Sequence, residues 1–206
     1  MNNRQLIQAA KLLSNLFSPF YASLWAFVWV FYFSYLKMLP PSYKLFILVL
    51  VWVTTVFVPR MAINTFRVVM KWSPWQLSHR EHRHLPYVLT VLGFTTCVTI
   101  MTKINVPMFL RGIVLSALIA QIICVILNAW WKVSTHMVGM GGLVGALLAF
   151  SFLFNFNPIF LLCVLLILSG LLGTARILLR QHTLGQVFAG FFIGLVCATV
   201  FVMISW

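Results

Sequence analysis

Acidic side chains are all but missing from this sequence: Glu81 is the single carboxylate against 14 Lys and Arg, giving a formal net charge of +13. The excess reflects absent acids as much as added bases, so it does not argue for a nucleic-acid partner. Anionic lipid head groups are its natural counterpart. Charge of either sign is sparse at 7% of positions, while hydrophobic residues fill 63% of them. With a mean hydropathy of +1.05, this composition excludes a soluble globular domain. Cysteine is scarce as well. Cys97, Cys124, Cys163 and Cys197 each sit inside an apolar run, with no Cys-x-x-Cys spacing, which reads as packing thiols and not as a disulfide or metal framework. No small-residue cleavage site follows the first apolar run, so that run reads as a span and not as a removable leader.

What is present is a succession of apolar runs near the length, about 20 residues, that crosses a bilayer core as a helix. The spacing predicts spans at 13–36, 45–59, 87–101, 108–130, 134–154, 158–180 and 183–206, with the second continuing as an amphipathic helix to Met70. The expected fold is all-α, a polytopic transmembrane bundle of six or seven spans forming one domain over residues 1–206. Gly141 with Gly145, and Gly190 with Gly194, are Gly-x-x-x-Gly pairs that read as helix-packing seams.

Three polar islands interrupt these runs: 71–86, 132–139 and 173–186. Together they hold all 5 His and the only acidic residue. They follow the second, fourth and sixth spans, so they share one membrane face. Ionisable groups near membrane depth are costly enough to mark a functional site. Arg80, Arg83 and Arg176, with Lys71 and Arg180 nearby, offer donors suited to phosphate oxygens. Ser134 and Thr135 stand where the fifth helix begins, and its unpaired N–H groups favour an anion. His136 and His182 can exchange protons or attack at neutral pH. Such a set suits phosphoryl transfer by electrostatic stabilisation. The plainer alternatives are interfacial anchoring for Arg176 and Arg180, an N-cap for Ser134 and a structural role for His136. His79, His82 and His84 lack an Asp or Cys partner, so they do not read as a metal site.

The same residues carry a family resemblance. The islands resemble the three motifs of the type 2 phosphatidic acid phosphatase superfamily, membrane relatives of vanadium haloperoxidases, whose pattern is Lys-x6-Arg-Pro, Pro-Ser-Gly-His and Ser-Arg-x5-His-x3-Asp. The third is matched by Arg176, His182 and Gln186 at the family spacing, and the second by Val133-Ser134-Thr135-His136. The first is blurred: Arg83 precedes Pro86 without adjacency, and no Lys stands seven residues before it. The similarity covers about Lys71 to Gly194.

The resemblance implies His182 as the nucleophile of a phosphohistidine intermediate and His136 as the proton donor to the leaving group. It implies Arg83, Arg176 and Ser134 as holders of the phosphoryl oxygens; Arg80 and Thr135 join them from the residue reading. Three positions depart from the pattern: Ala175 for serine, Thr135 for glycine and Gln186 for the aspartate that orients the histidine. A glutamine carbonyl still accepts from an imidazole N–H but supplies no charge. Glu81 is the only residue able to provide that charge, and its competing role is a local ion pair with Arg80 or Arg83.

The expected activity is hydrolysis of a phosphate monoester or diphosphate on a membrane lipid, with no metal or other cofactor. The partners are the phosphorylated lipid and the bilayer. Two alternatives remain on the same scaffold: a lipid phosphotransferase, and a catalytically silent relative that binds or moves phospholipids. Family resemblance implies a bacterial inner membrane with the site facing the periplasm, whereas the raw count of basic residues would place the islands in the cytoplasm.

Overall fold

The computed structural model describes residues 3–71 and 84–206. The fold is all-α. Its helices are α1 (Asn3–Leu16), α2 (Ala22–Phe33), α3 (Pro41–Trp52), α4 (Val58–Val69), α5 (His84–Lys103), α6 (Met108–Leu127), α7 (Thr135–Phe154), α8 (Ile159–Leu178) and α9 (Leu184–Ile204). Six stretches are long and apolar enough to cross a membrane: Arg4–Phe33, Pro41–Val69, Met108–Leu127, Thr135–Phe154, Ile159–Leu178 and Leu184–Ile204. The protein is thus an integral membrane helical bundle.

The seventh expected span, 87–101, lies within α5, which is as long as its neighbours but less apolar and is not among the six. It runs antiparallel to α6, with Gln121 Nε2 donating to Thr90 Oγ1 at one end and Arg111 Nη1 donating to Thr102 Oγ1 at the other. Thr90, Thr95, Thr96, Thr99 and Thr102 each donate their hydroxyl to a carbonyl one turn back. Their polar groups are thereby satisfied without water.

The first expected span is broken. Pro19 lacks an N–H and disfavours helical geometry at the residue before it, and Ser18 is extended at φ −60°, ψ 141°. A single 3₁₀ turn, Pro19–Tyr21, then leads into α2. The break lets α1 pack against α8 while α2 packs against α7. The second span does continue as expected: α3 and α4 are joined through a π-helical stretch at Val53–Phe57. It precedes Pro59, whose missing donor and bulky ring a regular helix would not tolerate. Thr54 and Thr55 return their hydroxyls to Leu50 and Val51 carbonyls there. Gly93 of α5 gives this stretch room, since a Cβ would stand 2.6 Å from the Thr54 carbonyl oxygen.

The centre of the bundle is the α7–α9 pair, its most extensive helix contact. Both Gly-x-x-x-Gly pairs face this seam. A Cβ on Gly141 would collide with the Phe191 carbonyl, and one on Gly194 with the Val138 carbonyl. A Cβ on Gly190 would lie 2.5 Å from the Ser134 carbonyl oxygen. Small residues here let two backbones touch, which is how membrane helices gain van der Waals contact in the absence of a hydrophobic drive. At the far end Phe109, Phe150, Phe154 and Trp206 stack edge and face.

Gly141→Leu and Gly194→Leu should therefore each destabilise the bundle by about 3 kcal/mol or more. Gly170→Ala meets nothing within 4 Å and should be neutral or stabilising, as alanine favours a helix. Thermal unfolding of the purified variants in detergent measures both effects, and equal midpoints for all three would refute the seam.

Candidate functional site

The second and third islands meet. Lys132 Nζ donates to the Gln181 carbonyl at 2.8 Å, and the Ser134 N–H donates to the Gln186 carbonyl at 3.3 Å. The α6–α7 loop is organised for this by Asn128. Its Nδ2 donates to the Cys124 carbonyl, and its Oδ1 accepts from the Val133 N–H. On the other side, α8 closes with Arg180 in the left-handed region at φ 51°, and the Gln181 N–H returns to the Arg176 carbonyl at 3.2 Å. A non-glycine residue in that region is uncommon. It turns the chain so that His182 arrives just ahead of the α9 N-terminus.

Gln186 has two roles there. It is the third residue of α9 and forms a capping box with Thr183, in which its Oε1 accepts from the Thr183 N–H at 3.2 Å. The same oxygen lies 3.3 Å from His182 Nδ1. An amide oxygen only accepts, so this contact places the proton on Nδ1 and the lone pair on Nε2.

A cavity of about 590 Å³ opens beside the joined islands, lined by Lys11, Ser14, Asn15, Ser18, Tyr21, Arg60, His136, Arg176, Leu179 and Gln181. α1 forms one wall. His136 Nε2 is 3.2 Å from the Ser14 carbonyl oxygen, and Arg176 Nη1 is 3.5 Å from Ser14 Oγ. His136 Nδ1 and Arg176 Nε are buried without hydrogen-bond partners. Leaving such groups unpaired is costly. Arg60 lines the same cavity, its Nη1 donating to Tyr21 Oη at 2.7 Å. Its guanidinium lies 5.2 Å and 4.8 Å from the Phe20 and Tyr21 ring centroids. None of the described lining residues carries a carboxylate.

The structure brings together some of the expected site residues and separates others. Arg176 and His136 line the cavity; His182 is not among its described lining residues, although Gln181 immediately before it is. Ser134 is fully buried and precedes α7, but its Oγ makes no cap bond and has no partner. Thr135 points elsewhere, into a separate cavity of about 260 Å³ with Phe20, Tyr87 and Gln121. The reading of Thr135 as a phosphate ligand therefore finds no support in its placement, because the first turn of α7 directs its side chain to the α5–α6 side. Arg180 is exposed and is not among the lining residues. Arg80, Glu81 and Arg83 lie outside the described residues, as do His79 and His82. Among the described residues no group of three His, Cys, Asp or Glu converges.

Lys11, Ser14 and Tyr21 were not part of the sequence reading of the site, which had raised Arg60 as a residue that could line it. Arg60 carried a usable signal, as a base placed directly after a proline within an apolar run; Ser14 carried none, since it acts partly through its backbone. Compared with known proteins, the chain matches no family model, no curated protein and no solved structure.

The capping box gives a direct test of the local architecture. Thr183→Ala should cost about 1 kcal/mol, the usual worth of an N-cap. Gln186→Leu should cost at least as much, because the Thr183 N–H loses its acceptor. Denaturation midpoints in detergent report both, and an unchanged midpoint in each would contradict the double role of Gln186.

Proposed function

We propose that this protein is a lipid phosphate hydrolase, working without a metal ion through a covalent bond between phosphorus and His182. The single observation that carries the reading is the convergence of Lys11, Arg60, Arg176 and His136 on one cavity. The His182–Gln186 pair stands next to that cavity in the chain. In the proposed reaction His182 Nε2 attacks phosphorus while the bond from phosphorus to the leaving oxygen breaks. His136 holds its Nε2 proton against the Ser14 carbonyl, so a proton carried on Nδ1 goes to the leaving oxygen. Water then attacks the phosphohistidine and gives a proton back to His136 Nδ1 as the bond from phosphorus to nitrogen breaks, releasing phosphate and the His182 imidazole. Arg176 compensates the charge on the equatorial oxygens throughout. We place the protein in a bacterial inner membrane with this cavity on the periplasmic side.

One observation favours a second reading, a silent relative that binds the anion without turnover. Gln186 Oε1 is shared between Thr183 and His182, and its amide brings no charge to stabilise an imidazolium.

Phosphate release from a panel of lipid monophosphates and diphosphates, by purified protein in detergent, separates the two. His182→Ala and Arg176→Ala should each lower turnover by about 100-fold or more. A chelator should leave the rate unchanged, and Gln186→Asp should raise it by restoring the orienting charge. Release no greater than that of His182→Ala would establish the silent reading.

A further inference from the structure

We infer that the ligand of the cavity is a diphosphate, bound at two anion loci of which the second is built by Arg60 and Lys11. The inference rests on the lipid-phosphate reading and narrows its substrate class. The first locus is the wall formed by Arg176 and His136, where Arg176 Nε and His136 Nδ1 are buried and unpartnered. The second comes from elements outside the motif-bearing islands: Lys11 on α1 and Arg60 on α4.

Charge and shape both require more than one phosphate. A single phosphoryl group carries about −1.5 to −2 at neutral pH. Among the described lining residues three are cationic, Lys11, Arg60 and Arg176, and none is a carboxylate. A cavity of about 590 Å³ is also far larger than one phosphoryl group within hydrogen-bond reach of Arg176 would fill. A bridged second phosphate supplies the missing charge and extends from Arg176 toward Arg60.

Arg60 is built for such a role. Tyr21 Oη fixes one of its nitrogens, and the rings of Phe20 and Tyr21 flank the guanidinium. This orders the side chain before the ligand arrives, so less entropy is lost on binding. A guanidinium has five N–H donors, and the bond to Tyr21 engages only Nη1. The π-helical stretch and Pro59 immediately before Arg60 fix where this base leaves its helix. A merely interfacial arginine would need none of these contacts.

The test measures binding without turnover. In the His182→Ala protein, inorganic pyrophosphate and inorganic phosphate are titrated by calorimetry in detergent. Pyrophosphate should bind at least about 10-fold more tightly, the worth of one or more charge-assisted hydrogen bonds. Arg60→Gln and Lys11→Gln should each shrink that ratio, whereas Arg176→Gln should weaken both anions together. Arg60→Lys, which keeps the charge but loses the fork, should retain part of the preference and serves where the glutamine variant fails to fold. Equal affinity for the two anions in the parent, or parallel loss of both in Arg60→Gln, would overturn the second locus. A long-chain alkyl diphosphate should displace bound pyrophosphate, and failure to do so would overturn the lipid source. Pyrophosphate preference in a protein that releases phosphate from no lipid would sink the hydrolase and leave the two-locus site standing.

Discussion

Everything else in this bundle depends on the close approach of α7 and α9. Four glycines, Gly141, Gly145, Gly190 and Gly194, let carbonyl groups of one helix occupy the space that side chains of the other would fill. Glycine costs a helix about 1 kcal/mol per residue relative to alanine, so the seam is retained for what the contact returns in packing. The contact also sets register. Ser134 reaches the Gln186 backbone, and so the start of α7 and the start of α9 are held at the same height. His136 and His182 are carried by those two starts, and their relative height is a property of the seam.

The rest of the site is added around this pair by elements of a different kind. α1 is separated from α2 by the extended Ser18 and packs against α8, where Ser14 meets both His136 and Arg176. α4 delivers Arg60 through an irregular stretch and a proline. The interior thus has a rigid half made of glycine-packed helices and a second half assembled from breaks in helices. Departures from regular helix are tolerated in a membrane protein where they line a polar space or are buried in protein; the break at Ser18 does the first and the π-helical stretch, with Thr54, Thr55 and Val56 buried, the second.

Span ends and the meeting of the second and third islands follow directly from the sequence, because the length of an apolar run and the alternation of spans are one-dimensional properties. The seam was equally readable, since Gly-x-x-x-Gly has a single physical use in a lipid-facing helix. The break at Ser18 was written in the sequence as Ser-Pro but was masked by the apolar residues on both sides, which look like one continuous run. Ser14 could not be found, as a carbonyl oxygen has no residue signature. Thr135 was assigned by its neighbour: beside Ser134 in a motif it reads as a ligand, yet consecutive residues on a helix point about 100° apart, and here that angle sends it to another cavity. His182 and Gln186, four residues apart around a helix start, were readable because the spacing itself dictates the contact.

The absence of a carboxylate from the described lining of the cavity has an effect on how binding there must be counted. A wall that sets Lys11, Arg60 and Arg176 together with no counter-charge among the described residues recruits whatever small anion the surrounding water offers. Any ligand therefore enters by exchange, and its apparent affinity is the difference between its own hold on the arginines and that of the anion it displaces. The choice of buffer and salt becomes part of the measured constant, and phosphate-buffered preparations would hide the strongest ligands behind the weakest. In a membrane the same exchange ties occupancy to the ionic composition of the adjoining compartment, so any anionic ligand is read against its aqueous competitors and not by its concentration alone.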